Sequence, residues 1–349
     1  MNDHDTLMRE QVRFLGQEPD RLRAVRGREL YETLGGLGLT HAQYFRALGT
    51  DPADYCAREF GVDLDRVTVE RFFQSDPEAK WLFPDIVRGA VLEGMRRKPW
   101  HPALIARDER VPGALYDMPH VVESRAGEEL RTVAEGAKIP ESEITHGDRA
   151  IRLDKRGRGV LASYEAVRRM SVDLLRVHLR RIGERLGRDL DARLARVLAH
   201  GDSSGEATAP ETLDTAEAGA LQFEDLVKGY LTLSLANHFT PTHLIAGGDT
   251  LGAIMAMERF QDGRLFDFAK TGDLPTPLGM KLVPLADQPT GLVTILDAGY
   301  AAQKLTEQDL LVESDKLIQQ QWDRTYLTVV TDFAILYEKA RVVLNLDWS

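Results

Sequence analysis

The chain has 349 residues, of which 43 % are hydrophobic and 28 % are charged, proportions that are ordinary for a folded protein. The formal net charge of -11 argues against tight, sequence-independent binding to phosphate backbones, because such binding needs a clustered basic surface. The single cysteine, Cys56, excludes an internal disulfide and a Cys-x-x-Cys zinc site. The longest apolar runs are far shorter than the roughly 20 residues of a membrane span, and the first residues lack a signal-peptide pattern. We therefore expect a soluble protein without a membrane partner.

The N-terminal segment is polar and is predicted to form short helices. Residues 1–78 contain 15 acidic and 10 basic side chains and few large apolar ones. A helix-start signal at Asp51 and Pro52 and a stop signal at Gly61 punctuate the segment. We expect it to pack weakly, or against another chain.

The next segment, residues 79–120, begins with an amphipathic helix. In WLFPDIVRGAVLEGM the apolar residues recur at helical spacing and form one face. Four prolines lie between residues 99 and 120, which predicts an extended stretch after the helix.

A polar β-ribbon is predicted over residues 128–162. Apolar and polar residues alternate loosely, with turn-forming residues at Pro140 and at 147–148 and a second turn signal at 157–159. A ribbon of this length has no core of its own, so it needs another surface on which to lie. This feature indicates a subunit that is completed by its neighbours.

Residues 164–200 are predicted to form one long helix, because apolar side chains repeat at i, i+4 from Met170 to Leu198. Gly183 and Gly187 each weaken this helix by roughly 1 kcal/mol relative to alanine, which favours a bend there. Nine arginines lie between residues 168 and 196, against five acidic residues between 165 and 191. We interpret the arginines as partners in ion pairs across protein interfaces, with direct nucleic-acid binding as the alternative.

From residue 212 onward the pattern becomes mixed α/β. It predicts a helix over 222–236, a strand in THLIAG, a helix over 250–261, and strands in KLVPLA and GLVTILD. Residues 311–346 are predicted to form long strands broken at 337–340. Together with the long helix, these elements predict the α+β class.

Two short motifs have a simple explanation beside a functional one. The turn at 247–250 joins a strand to a helix, but it lacks the Lys-Ser/Thr of a P-loop and the third glycine of a dinucleotide fingerprint. Capping of the helix by Thr250 or Asp249 explains it, and a nucleotide-using enzyme is the remote alternative. The acidic group of Glu141, Glu143, His146 and Asp148 is explained as a solvated tip rather than a metal site. We expect no catalytic residue, no cofactor and no metal.

The segments, taken in order over residues 80–347, resemble a tailed-phage major capsid protein of the Hong Kong 97 fold. WLFPDIVRGAVLEGM is similar to the N-terminal arm helix of that family. GRGVLASYEAVRRMSVDLL resembles the extended E-loop that descends into the spine helix. THLIAGGDTLGAIMAMERF and the strands after it resemble the A-domain, and LIQQQWDRTYLTVVTDFAILYEKARVVLNL resembles the closing strands of the P-domain.

The resemblance implies six segments. They are an N-terminal helical segment (1–78), an N-terminal arm (79–120), an E-loop (121–163), the P-domain spine helix with its loop (164–215), an A-domain (216–310) and the closing P-domain strands (311–349). Some members of the family carry an N-terminal segment that acts as an internal scaffold and is removed, and residues 1–78 are a candidate for that role.

The resemblance also implies a function and partners. The protein would be a capsid subunit of the virion, assembled in the host cytoplasm, that associates with itself in pentamers and hexamers to form an icosahedral shell around double-stranded DNA. Portal protein, and decoration or scaffold proteins, would be further partners, and packaged DNA would be contacted only weakly and non-specifically.

Inter-subunit contacts are expected from charged residues of the ribbon and the long helix. These are Arg131, Lys138, Glu141, Glu143, Arg152, Lys155, Arg156, Arg158, Arg176 and Arg180. An encapsulin compartment shell is the alternative with the same fold, although the segment before residue 80 is longer than the simplest encapsulins carry.

Overall fold

The computed structural model shows a protein of α-helices and β-strands, of which a few are long and many are short. The described residues are 27–36, 44, 55, 57–58, 61–64, 66–69, 71, 83–118, 120–122, 143–145, 150–163, 165, 169–204, 208–260, 274–317 and 322–348.

The α-helices are α1 (Gly27–Gly36), α2 (Phe83–Met95), α3 (His101–Leu104), α4 (Val172–His200), α5 (Phe223–Leu231) and α6 (Gly248–Ala256). Helix α5 continues as a π-helical turn over Thr232–Ala236, and 3-10 turns cover Glu258–Phe260 and Glu338–Ala340.

The strands vary from two to sixteen residues in length. They are β1 (Arg107–Arg110), β2 (Leu115–Asp117), β3 (His120–Val122), β4 (Glu143–Thr145), β5 (Ala150–Arg152), β6 (Lys155–Ser163), β7 (Glu211–Asp214), β8 (His243–Ala246), β9 (Leu274–Pro275), β10 (Lys281–Pro284), β11 (Leu292–Leu296), β12 (Ala302–Leu317), β13 (Trp322–Ile335) and β14 (Arg341–Asn345).

The chain forms two compact units. The first contains Met1–Lys98, Gly157–Gly187 and Leu310–Thr328. The second contains Pro99–Arg156, Arg188–Asp309 and Val329–Ser349. Helix α4 and strands β6, β12 and β13 each contribute residues to both units.

In the first unit, helix α2 packs on the N-terminal part of α4. Val87 and Val91 of α2 share a buried cluster with Leu179 and Leu186 of α4, and Leu327 of β13 joins it. Burying a side chain of this size contributes about 1.5–3 kcal/mol relative to leaving it exposed. The predicted amphipathic helix and the central part of the predicted apolar ladder are confirmed by this packing.

The start of α4 differs from the prediction. The described residues Glu165 and Arg169 are helical, as predicted, but helix α4 itself begins at Val172, because Ser171 pairs with Thr68. The Val69 N–H donates to the Met170 carbonyl, and the Val172 N–H donates to the Val67 carbonyl, both at 3.0 Å. These bonds hold Ser171 in a β-bridge with Thr68, which a continuous helix does not permit.

The turn predicted at 157–159 is wrong, because these residues lie within strand β6. The two glycines serve a close contact instead. A Cβ on Gly157 would be 2.9 Å from Cγ2 of Thr328, and one on Gly159 would be 3.2 Å from Cε1 of Tyr326. These positions favour glycine because strand β13 lies so close to them, and not because the chain turns there.

The second unit contains a six-stranded sheet in the order β7-β14-β11-β8-β10-β9. Strand β8 is parallel to β10 and antiparallel to β11, with Ile245 opposite Thr294. Apolar residues of α5 and α6, including Leu226 and Ile254, form a buried core with the sheet. Strand β14 belongs to this sheet, although the sequence groups it with residues 311–349. The predicted break before β14 is confirmed by the 3-10 turn at Glu338–Ala340.

A second cluster in the same unit lies around Ile151. The antiparallel pair β2 and β5 places Ile151 opposite Tyr116. Ile151 and Leu153 are fully or almost fully buried with Leu305 of β12 and Ala334 of β13. This cluster holds β5 and Leu153 in the core of the second unit.

Candidate assembly surfaces

The base of the predicted ribbon consists of antiparallel strand pairs. Val121 of β3 lies opposite Ile144 of β4, and Tyr116 of β2 lies opposite Ile151 of β5. Of the predicted ribbon, residues 128–142 and 146–149 lie outside the described residues, and residues 155–162 form β6, which pairs with β13 instead. Glu143 lies in β4 opposite Val122. The predicted contact residues Arg131, Lys138 and Glu141 lie outside the described residues, as do His146 and Asp148.

Four predicted contact residues follow the ribbon base. Arg152 and Lys155 have exposed side chains. Arg156 is half-buried, and its Nη2 lies 3.7 Å from Oδ2 of Asp154. Arg158, in the first unit, is exposed. Three of these four side chains are therefore accessible on the described chain, as a role in contacts requires.

The two predicted contact residues on α4 are half-buried. Arg176 and Arg180 lie one helical turn apart. Nε of Arg180 is 3.5 Å from Oε2 of Glu93 on α2, which makes an ion pair within the chain. Arg180 therefore helps to hold α2 on α4, whatever it contacts in an assembly.

A further arginine of α4 forms a buried pair in the second unit. Nε and Nη2 of Arg193 donate to the two carboxylate oxygens of Asp332 at 2.7 and 2.9 Å. Asp332 is 1 % exposed. The hydrogen bonds that Arg193 donates to this carboxylate raise the pKa of Arg193 against the opposing effect of burial. The sequence predicts that these arginines pair with carboxylates across protein interfaces, whereas Arg193 pairs with a carboxylate of its own chain.

Glu184 accepts hydrogen bonds from two arginine side chains. Nη1 of Arg97 lies 2.9 Å from Oε1 of Glu184, and Nη1 of Arg181 lies 2.6 Å from Oε2. The hydrogen bond from Arg181, followed by the positive charge of Arg97, holds the pKa of Glu184 below its ordinary value. Arg97 and Glu184 are 87 residues apart, so no local sequence signal indicated this contact.

Sequence reasoning placed Leu174 in the apolar stripe of α4, but it is 46 % exposed. Val177, three residues on, is 47 % exposed. Residues three apart lie on the same face of a helix, so the first turns of α4 present an apolar pair to the outside. Such a pair is a candidate contact with a neighbouring subunit.

The C-terminal end of α4 is fixed by a buried arginine. Nε of Arg341 donates to the Leu198 carbonyl at 2.9 Å, and Nη2 donates to the Thr208 carbonyl. Burial lowers the pKa of Arg341 to about 10, and Asp202 opposes this shift. Arg341 thus satisfies a carbonyl in the last turn of α4 that has no partner within the helix.

The turn at 247–250 caps helix α6. The Gly247 N–H donates to Oγ1 of Thr250 at 3.1 Å, and Asp249 accepts a hydrogen bond from the Gly291 N–H at 2.8 Å. The capping interpretation is therefore confirmed, and both polar side chains are occupied locally. Within the described ranges, no group of three or more His, Cys, Asp or Glu residues is arranged to hold a metal ion. No helix in the same ranges has the length and apolar composition needed to cross a membrane.

Comparison with solved structures identifies the fold. The capsid of a native GTA particle is similar with a TM-score of 0.54 at 14 % identity, over 72 % of this chain and 91 % of that chain. A Gordonia phage Cozz structure has a TM-score of 0.49 at 18 % identity, over 72 % and 87 % of the two chains. The holo-SrpI encapsulin complex from Synechococcus elongatus PCC 7942 has a TM-score of 0.48 at 15 % identity, over 71 % and 87 %. The similarity to the GTA capsid confirms the predicted α+β fold of the Hong Kong 97 type.

Sequence comparison identifies the family. A search of curated proteins gives no match. A family model described as phage capsid protein matches residues 147–343, more than half of the chain, from the ribbon base through α4 and the six-stranded sheet to β14. The chain belongs to the phage capsid protein family.

Proposed function

We propose that this chain is the major capsid protein of a tailed bacteriophage, and that copies of it form pentamers and hexamers of an icosahedral shell around double-stranded DNA. The family match over residues 147–343 carries the proposal. The role of the chain is structural. Portal, scaffold or decoration proteins are its further partners, and the shell assembles in the host cytoplasm.

The described contact residues support a role in self-association. Arg152 and Lys155 are exposed in the second unit, while Arg158 is exposed in the first unit, as are the apolar side chains of Leu174 and Val177 on α4. Surfaces that combine accessible arginine with apolar side chains are typical of protein interfaces. In this proposal the predicted ribbon lies over a neighbouring subunit and joins the shell together.

Electron microscopy of the purified full-length protein tests the assembly. We expect closed icosahedral particles of uniform diameter. A protein that stays monomeric under all assembly conditions would overturn the proposal. Particles that contain a protein cargo instead of DNA, when isolated from the producing cells, would favour an encapsulin.

The role of the ribbon is tested by replacing residues 124–141 with a short glycine-rich linker. This change keeps β3, β4 and β5, and it spares Ile151 and Leu153, which are buried in the core of the second unit. We expect a folded subunit with an unchanged unfolding midpoint that forms no stable shells. Particles of normal yield and stability from this variant would contradict the role given to the ribbon.

A further inference from the structure

Five exposed basic side chains of the first unit lie just after α2 and in the middle of α4. We call Arg96, Arg97, Lys98, Arg181 and Arg185, together with Glu184, the basic cluster. Arg97 and Arg181 both bond to Glu184, at 2.9 and 2.6 Å. Arg96 and Lys98 flank Arg97 in the sequence, and Arg185 lies one helical turn beyond Arg181. Two of the five basic side chains are thus bonded to Glu184 and three are their neighbours along the chain or the helix, while Glu93 on α2 is paired with Arg180.

The cluster is accessible. The side chains of Arg97 and Arg181 are 72 % and 58 % exposed. Arg96, Lys98 and Arg185 are also exposed, and none of them has an acidic partner within 4.0 Å among the described residues. The chain as a whole has a net charge of -11, so the positive charge is local.

Close helix packing holds the cluster in place. A Cβ on Gly183 would be 2.9 Å from the backbone nitrogen of Met95, and one on Gly187 would be 3.0 Å from the Met95 carbonyl oxygen. The two glycines thus bring the end of α2 directly onto α4. The basic residues 96–98 follow that end and lie beside the turn that carries Arg181 and Glu184.

A structural explanation accounts for only part of the cluster. Basic residues after the last turn of a helix interact favourably with its dipole, which suits Arg96, Arg97 and Lys98 after α2. Arg181 and Arg185 lie in the middle of α4, where the dipole of that helix gives no such benefit. Glu184 compensates at most one of the five charges.

We propose that the basic cluster binds the phosphate backbone of the packaged double-stranded DNA and lies on the inner wall of the shell. This inference rests on the proposed capsid function. Arginine and lysine side chains on rigid helices neutralise phosphates without recognising a base sequence. Because the chain as a whole has a net charge of -11, contact of the DNA with the wall stays weak and sensitive to salt.

The test measures DNA binding by the unassembled full-length subunit. The triple variant Arg96→Gln, Lys98→Gln, Arg185→Gln removes three charges and leaves Arg97, Glu184 and Arg181 intact. Binding of a fluorescent random-sequence 30-base-pair duplex is followed by anisotropy from 50 to 200 mM salt. We expect the apparent Kd at 50 mM salt to rise at least about tenfold, and the slope of log K against log salt to fall in magnitude by about 2.7, since each phosphate contact contributes roughly 0.9.

A matched control removes three exposed basic side chains of the second unit, Arg110→Gln, Lys228→Gln and Arg259→Gln. This control should bind DNA as the wild type does. An equal salt slope in the cluster variant and the wild type would overturn the proposal. Tighter binding of polyglutamate than of DNA would overturn it in favour of an acidic protein segment. Particle formation by both variants is followed separately by electron microscopy, so a failure of the capsid function is distinguished from a failure of DNA binding.

Discussion

Gly183 on helix α4 lies directly against Val91 on helix α2. A Cβ at residue 183 would be only 2.0 Å from the Val91 carbonyl oxygen. The contact is reciprocal, because a Cβ on Gly94 of α2 would be 2.0 Å from the carbonyl oxygen of Arg180. The two backbones therefore touch, and glycine at 183 is required by the packing of α2 on α4, not by a bend.

Substitution Gly183→Ala should destabilise the subunit. The new methyl group forces α2 away from α4 and disturbs the buried cluster of Val87, Val91 and Leu179. We expect a loss of about 2–3 kcal/mol in the free energy of unfolding, as for other overpacked cores. Urea unfolding of the dissociated subunit measures it.

Gly89→Ala is the matched control for that change. Gly89 lies on α2, is exposed, and no atom would lie within 4 Å of its Cβ. Alanine favours a helix over glycine by about 1 kcal/mol, so this variant should be more stable than the wild type. Destabilisation of equal size by both changes would contradict the packing explanation.

The Arg193–Asp332 pair should contribute strongly to the stability of the second unit. Arg193→Met leaves the Asp332 carboxylate buried without its charged partner, which we expect to cost about 3 kcal/mol in the free energy of unfolding. The double variant Arg193→Met, Asp332→Asn should recover part of this loss, because a neutral amide is less costly to bury.

The exposed pair of Arg110 and Asp309 provides the comparison. Their side chains are 56 % and 51 % exposed, so Arg110→Met should change the free energy of unfolding by less than about 1 kcal/mol. The same urea titration serves all three variants. A loss for Arg193→Met no larger than that for Arg110→Met would mean that burial does not strengthen the first pair.

The sequence predicts elements that have a strong period, and it fails where two distant segments meet. Leu186, Leu190 and Leu194 of α4 follow the i, i+4 ladder and are buried as predicted. Leu174 follows the same ladder but is exposed, since periodicity indicates an apolar face and not what covers it. A glycine such as Gly157 is found both in turns and in strands that a neighbouring strand approaches closely, so the sequence alone does not separate these two cases. The position of Thr328 in the structure shows that Gly157 belongs to the second case.

Acid should destabilise the second unit through His243. Burial, followed by the positive charge of Lys281, lowers the pKa of His243, while Asp297 opposes the shift. Below about pH 6.5 His243 takes up a proton in the unfolded chain, while in the folded chain it stays neutral until the pH falls further. This contribution to stability is therefore complete above that pH, declines as the pH falls, and is lost below the folded-state pKa.

His243→Asn tests that contribution and retains a side chain able to bond Oγ1 of Thr242, which lies 3.0 Å from Nδ1 of the histidine. Urea unfolding at a series of pH values from 7 to 5 should show a shallower decline for this variant than for the wild type. Lys281→Gln should also reduce the slope, by removing the second cause of the shift. Parallel curves for all three proteins would exclude the proposed linkage.

The exposed pair Leu174 and Val177 should matter for assembly rather than for folding. Both side chains are nearly half exposed, so changing them to glutamine removes little buried apolar surface from the isolated subunit. We expect the free energy of unfolding to change by less than about 0.5 kcal/mol. If the pair is covered by a neighbour in the shell, placing two amides there leaves polar groups without partners, and the yield of particles should fall at least tenfold.

The comparison is Leu179→Ala on the same helix. Leu179 is 3 % exposed, so this change should reduce the stability of the subunit by about 2–5 kcal/mol. Particle yield from electron microscopy and unfolding free energy from urea titration then separate the two roles. Helix α4 carries both the exposed pair and the buried Leu179. If the double variant at 174 and 177 assembles normally, the helix serves as an internal support. Contacts between subunits would then have to come from the ribbon alone.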